Sequence, residues 1–294
     1  MRRGVVSVSL DSQTTTSPLE KIEQILSHKV ESGALELPLL PQVASEVMAL
    51  TSDPEADAAK LSALIHKDQA LAAHVLRIAN SPAYMPRSPV VSLQHAVAML
   101  GINLLSEIAF TASLKAGALQ VPGHEEHVRA LWQHSLASGA FAKEVARTRR
   151  VNVESAYLCG LLHEIGKPVV LRAVTTIAQE QNIPLDRPTL DIMIEGHHSR
   201  IGGLIGEKWG LPRQVIEAAQ YYADYDHAPS FRQECILTCI ADRLATHLLC
   251  PDDMPEEVLR DHPAFAELNL YTGDVEQLVK GKDKVLAVVQ SMNL

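Results

Sequence analysis

Apolar residues recur along nearly the whole chain with the 3.6-residue period of an α-helix, and that one feature excludes most folds. Val43, Val47 and Leu50 share a face; Leu61, Leu64 and Ile65 share another; Leu71, Val75, Leu76 and Ile78 mark a third. Strand-like alternation over four or more residues occurs only at Val5–Leu10. Aromatics are 4% of the residues while 47% are hydrophobic, so the core is built from Leu, Ala, Ile and Val. Such a core suits packed helices better than a sandwich or barrel. The expected fold class is all-α.

Punctuation divides the 294 residues. Residues 1–16 read as a loose tail, and Ser17-Pro18 opens a helix to about Glu31, Ser as cap and Pro as first residue. Leu37-Pro38-Leu39-Leu40-Pro41 is not helical throughout, because each proline removes a donor and restricts its predecessor. Ser92 is expected to cap one helix through Phe110. Val121-Pro122-Gly123 is the clearest break, so a first helical lobe spans 17–120 and a second 121–250. In the second lobe, helices are expected at about 125–147, 153–177, 192–209, 213–223 and 230–249. A C-terminal extension, 251–294, carries one amphipathic helix at about 274–291 with Val275, Leu278, Val285, Val288 and Val289.

Acidic residues outnumber basic ones 35 to 26, for a net charge of −9, which argues against direct nucleic-acid binding. No apolar stretch approaches a membrane span, and the N-terminus is too polar for a signal peptide, so a cytoplasmic location is expected. Cys159, Cys235, Cys239 and Cys250 form no CxxC pair and read as thiols of a reducing compartment.

Several strings, taken in order, carry a resemblance: Leu37-Pro38-Leu39-Leu40-Pro41, Asp53-Pro54, Ile65-His66-Lys67-Asp68, then Val75 through Asn80-Ser81-Pro82-Ala83-Tyr84, Val91-Ser92-Leu93 and Leu100-Gly101. Over residues 35–245 the chain resembles the HDOD family, all-helical relatives of the HD metal phosphohydrolases. Gln69 stands where that family usually has proline. Read as residues, Asn80-Ser81 can close a helix end, Arg77 can pair with Asp68, and Tyr84 sits where a loop between the lobes could receive a ligand or partner.

The second half holds the residues that the resemblance equates with an HD metal site: His134, His163-Glu164 and Asp242, with His198 matching a further family histidine. A binuclear hydrolase needs neutral imidazoles and carboxylates converging on two cations. Here Glu164 replaces the bridging Asp, and the downstream His-His pair of metal-binding relatives falls at Tyr222-Ala223. About four ligands remain, enough for a single divalent metal and poor for two. Equally, an inward His134 or His163 can hydrogen-bond Asp242 in a satisfied polar cluster with no cofactor at all. Lys167, one turn after Glu164, either pairs with it or binds a substrate phosphate.

The intact HDOD frame with a depleted metal set implies a non-catalytic regulatory module of bacterial-type signalling, whose partners are other signalling proteins. Self-association through the 274–291 helix is a further expectation. Two alternatives stay open: a metal-dependent phosphohydrolase of a nucleotide or cyclic dinucleotide, with Glu164 and Lys167 as its working groups, and a nucleotide binder without turnover. His124, His127, His227, His247 and His262 lie on polar segments and are expected to face solvent.

Overall fold

A computed structural model describes residues 17–51, 53–86, 88–117 and 120–292. The expected tail at 1–16 lies outside them. Among the described residues there are sixteen α-helices, one 3-10 turn and no strand.

The first helix, α1 (Pro18–Glu31), begins where the sequence places it. Ser17 Oγ accepts the Glu20 N–H, and Glu20 returns the bond to the Ser17 amide, a reciprocal capping box. Its buried face, Ile22, Leu26 and Val30, lies against α9 (Gly166–Glu180) and α10 (Arg187–Lys208), so the chain starts on the second lobe. The proline-rich strip then runs across that lobe. Its carbonyls are taken by side chains: Trp209 Nε1 bonds Pro38 O at 3.0 Å, Lys208 Nζ bonds Leu37 O at 2.8 Å and Arg172 bonds Glu36 O at 3.1 Å. Trp209, buried at the end of α10, therefore anchors the strip as well.

The first lobe packs α2 (Gln42–Thr51), α3 (Ala58–His66), α4 (Gln69–Ala79), α5 (Leu93–Leu100) and α6 (Ile102–Gly117) around Leu61, Ile65, Val75, Leu93 and Ile108. Asp57, Asp68 and Ser92 cap α3, α4 and α5. The single helix expected from Ser92 to Phe110 is two. Gly101 takes φ +82°, ψ 160°, a conformation outside the helical region that costs glycine little, and α6 restarts beside α5. Asn80 closes α4 as expected: its amide donates to Leu76 O and Val90 O, and its oxygen accepts the Val90 N–H. That one side chain thus ties Val90 to the end of α4.

The second lobe is built on α7 (Glu125–Arg149), whose 25 residues pack against α8 (Val153–Leu162) and α12 (Arg232–Leu249). The expected helix at 153–177 is also two, α8 and α9, because the chain turns at His163-Glu164-Ile165 through short i→i+3 bonds. α11 (Arg213–Tyr221) and a 3-10 turn (Tyr225–His227) precede α12. The fully buried Glu217 carboxylate on α11 accepts the Ser230 and Phe231 amides at the mouth of α12 and the Arg213 guanidinium. Burial pushes its pKa up, but the two amides and Arg213 outweigh that and hold it below the ordinary carboxylate range. Glu217→Gln should cost about 1–2 kcal/mol at neutral pH in urea unfolding. A depressed carboxylate stabilises above its unfolded pKa, and the contribution fades as pH falls through the folded value. The gap between wild type and variant should therefore narrow steadily below about pH 4.5.

The extension folds back on the lobe. α13 (Glu256–Arg260) and α14 (Pro263–Glu267) sit on α12, while α15 (Thr272–Lys280) and α16 (Lys282–Met292) sit on α7. The expected single terminal helix is divided at Gly281. Of its apolar face, Val275, Leu278, Val285 and Val289 are buried within the chain and Val288 is half-buried, so most of the face expected to self-associate packs on the chain itself. Of the histidines expected in solvent, only His227 is exposed. His124 and His127 are half-buried, His247 bonds Met254 O at 2.8 Å, and His262 accepts the Ala264 N–H.

Candidate functional site

Four helices and one turn of the second lobe converge on a buried polar cluster. His134 comes from the middle of α7, His163 and Glu164 from the α8–α9 turn, and Asp242 from α12. The turn exists because two helices approach closely. A Cβ on Gly160 would lie 2.6 Å from Ser138 O of α7, and one on Gly166 would lie 2.0 Å from His198 O of α10. Only glycine admits both neighbours, and the pinch drives His163 and Glu164 into the interior, where they are 0% and 5% exposed.

One atom from each of His134, His163, Glu164 and Asp242 lies within 4.8 Å of all the others. His134 Nε2 is 3.0 Å from Asp242 Oδ1 and 3.8 Å from Glu164 Oε2. His163 Nε2 is 3.3 Å from Asp242 Oδ1 and 4.0 Å from Glu164 Oε1. Around a cation with ligands at about 2.1 Å, neighbouring ligand atoms stand ~3.0–3.4 Å apart and opposed ones ~4.2 Å. These four residues could hold one such ion if their spread of up to 4.8 Å contracts by about half an ångström.

The tautomer of His163 fits it too. Its Nδ1 is 2.8 Å from Gly160 O, and since a carbonyl only accepts, Nδ1 carries the proton. In the neutral ring Nε2 is then bare and faces the Asp242 oxygen, and two acceptors at that distance are satisfied by a proton or by a metal cation. A ligating histidine is usually oriented this way, by its other nitrogen.

The electrostatics bind the cluster internally. Burial works against the His134 imidazolium, yet the Glu164 and Asp242 carboxylates outweigh it and raise its pKa. Burial likewise opposes the charged form of Asp242, and His134 together with His163, when its Nε2 also carries a proton, holds that carboxyl far below its usual range.

On the far side of Glu164 the arrangement differs from a second metal position. Lys167 Nζ is 2.5 Å from Glu164 Oε1 and 2.6 Å from Glu195 Oε1. Burial lowers the Lys167 pKa, but the two carboxylates outweigh it and raise it. Tyr222, standing where a histidine pair would be, sets its ring edge-on to His163 with centroids 4.6 Å apart. Its hydroxyl lies 3.2 Å from His198 Nε2 and 3.5 Å from Glu164 Oε1. His198 is buried, its Nδ1 held by the Ile194 and Glu195 carbonyls, and it stands behind Tyr222, outside the ligand quartet.

Sequence reasoning did not find Glu195 or assign Tyr222 a contact. The available signal was modest: Glu195 precedes His198 by one helical turn, on the same face of α10. Arg77, Asn80 and Tyr84 belong to the first lobe and lie outside this cluster. Asp68, expected opposite Arg77, caps α4 through the Leu71 N–H. Tyr84 lines a separate cavity of about 150 Å3 with Glu107, Lys143 and Tyr157, and burial pushes its phenol pKa up.

The sequence profile of the HDOD domain matches residues 37–225. The chain belongs to the HDOD family. An uncharacterised protein of Treponema pallidum (strain Nichols) is 26% identical over 273 residues, covering 90% of this chain and 51% of its own length, so the chain spans about half of that relative. A crystal structure from Shewanella amazonensis SB2B, provisionally named a metal-dependent phosphohydrolase, superposes with a TM-score of 0.73 at 20% identity over 94% of this chain and 99% of that one. One from Marinobacter aquaeolei VT8, provisionally named a signal transduction protein, gives 0.67 at 23% identity over 96% of this HDOD chain and 68% of the other. At those identities the likeness is one of fold. Among the described residues no helix of the HDOD protein is long and apolar enough to cross a membrane.

Proposed function

We propose that this HDOD protein is a non-catalytic regulatory module, acting by binding signalling proteins or a small ligand, whose HD-type cluster ties four helices together and accepts at most one divalent cation. One observation carries the reading: the Lys167 ammonium sits 2.5 Å from Glu164 Oε1. An ammonium in contact with a carboxylate repels a metal cation that would take the same oxygen. Here one oxygen already holds a cation belonging to the protein, and Tyr222 stands in place of imidazole. His134, His163, Glu164 and Asp242 would hold the single ion, which would act there as a fixed positive charge between the carboxylates.

The two names given to the structural relatives, phosphohydrolase and signal transduction protein, mark the alternatives, and the test separates them. Protein purified with Mn2+ or Fe2+ present is assayed for metal content and against a panel of phosphodiesters, beside His163→Ala. We expect no more than one ion per chain and no turnover above that of the variant. Two ions per chain, with hydrolysis that disappears in His163→Ala, would establish an enzyme instead. Nucleotide bound without turnover would identify the small ligand.

A further inference from the structure

The end of α6 and the first turns of α7 enclose a cavity of about 490 Å3, away from the His134–Asp242 cluster. Its walls include Val121, Val128 and Trp132, its polar groups Lys115, Arg129 and Gln133. That size falls within the ~300–1,000 Å3 typical of small-ligand pockets.

Two cations, Lys115 and Arg129, face this space. Among the described residues no carboxylate lies within ion-pair distance of Lys115 or Arg129. Glu125 shares the cavity but accepts the Gly123 N–H at 2.9 Å, closing the turn that leads into α7. Lys115 Nζ donates a hydrogen bond to Met292 O at 3.1 Å, which orients the ammonium without neutralising it. Burial first, and then Arg129, lowers the Lys115 pKa. The same ammonium borders a second cavity of about 540 Å3 beside His74, whose pKa is lowered by burial and by Lys115. Lys115 and Arg129 thus bring two positive charges to a cavity whose described walls hold one carboxylate, Glu125, an excess of one positive charge. An anion entering it would relieve the repulsion and gain charge-assisted hydrogen bonds. A bare inorganic ion would leave the apolar walls wet, so the complement has an apolar body.

We propose that this cleft binds a small organic anion, its charged group held by Lys115 and Arg129 and its apolar body lying against Trp132, Val121 and Val128. Such a ligand would touch both lobes, since Lys115 ends the first and Trp132 begins the second. The site is separate from the buried cluster and stands whether or not a cation binds there.

A matched pair of dyes tests it: anilinonaphthalenesulfonate, which joins an aromatic body to a sulfonate, and uncharged phenylnaphthylamine. Each is titrated into the full chain and read by energy transfer from tryptophan, of which the chain has two. We expect the anionic dye to saturate one site, and Arg129→Gln and Lys115→Gln each to weaken it about tenfold. Affinity for the uncharged dye should stay within about twofold. Arg129 is exposed, so its replacement leaves the fold intact, and an unchanged melting temperature qualifies the Lys115 variant. No saturable binding of the anionic dye, or binding equally tight in wild type and both variants, overturns the proposal. So does an equal loss for both dyes.

Discussion

Gly166→Ala should cost about 4 kcal/mol or more of folding stability, enough to leave much of the chain unfolded under mild conditions. The added Cβ would stand 2.0 Å from His198 O and 2.8 Å from Gly202 N, both backbone atoms of α10. Heavy atoms attract at about 3.5 Å and repel steeply inside it, so α9 and α10 would have to part by an ångström or more. No side chain can rotate away to absorb the change, because the obstacle is a helix backbone. Parting the helices displaces Lys167 from Glu195 and leaves the Glu164 carboxylate less well paired, which adds to the loss. Gly196→Ala is the control. It lies on the same α10 with nothing within 4 Å of the new methyl group, and an exposed helical glycine replaced by alanine should gain about 0.5–1 kcal/mol. Urea midpoints moving in opposite directions for these two substitutions would bear out the helix contact. Equal and small effects would show that α9 and α10 do not meet there.

The same glycine explains why the candidate site was only partly legible in the sequence. Apolar periodicity identified the all-α class, and the Ser17 and Ser92 caps fell where expected because hydroxyl caps act within a few residues of themselves. The grouping of His134, His163-Glu164 and Asp242 was also legible, through the resemblance to the HDOD family, and the structure brings the four together. What periodicity could not show was each break within an apolar run. Leu158, Leu161, Leu162 and Ile165 continue the helical pattern straight across the α8–α9 turn, because both helices bury the same kind of residue. Gly101 and Gly281 read like glycines tolerated inside helices, and only tertiary packing decides that one bends the chain and the other divides α15 from α16. Tyr222 was visible as a missing histidine but not as a hydroxyl between His198 and Glu164, for that contact spans 24 and 58 residues.

Lys167→Met should destabilise the protein by about 3–5 kcal/mol, the second large effect, and its partner substitution should recover much of it. Glu164 is 5% exposed, and Lys167 is the cation in direct contact with its Oε1. Removing the ammonium leaves a carboxylate that burial disfavours, held ionised by His134 and His163 alone and opposed by the nearby Asp242 charge. Methionine fills much of the vacated stem, so the loss reads as charge more than as a hole. In Glu164→Gln/Lys167→Met the stranded charge is gone, the amide oxygen can still accept from Tyr222, and the double variant should be more stable than Lys167→Met alone. The coupling between the two positions should exceed about 1.5 kcal/mol in a double-mutant cycle, well above the few tenths expected of an exposed pair. That excess is what a lysine occupying a would-be metal position predicts, because it then adds to His134 and His163 in keeping the Glu164 carboxylate ionised. A coupling below about 0.5 kcal/mol would mean that Lys167 merely rests beside Glu164 and leaves its oxygen open to a second cation.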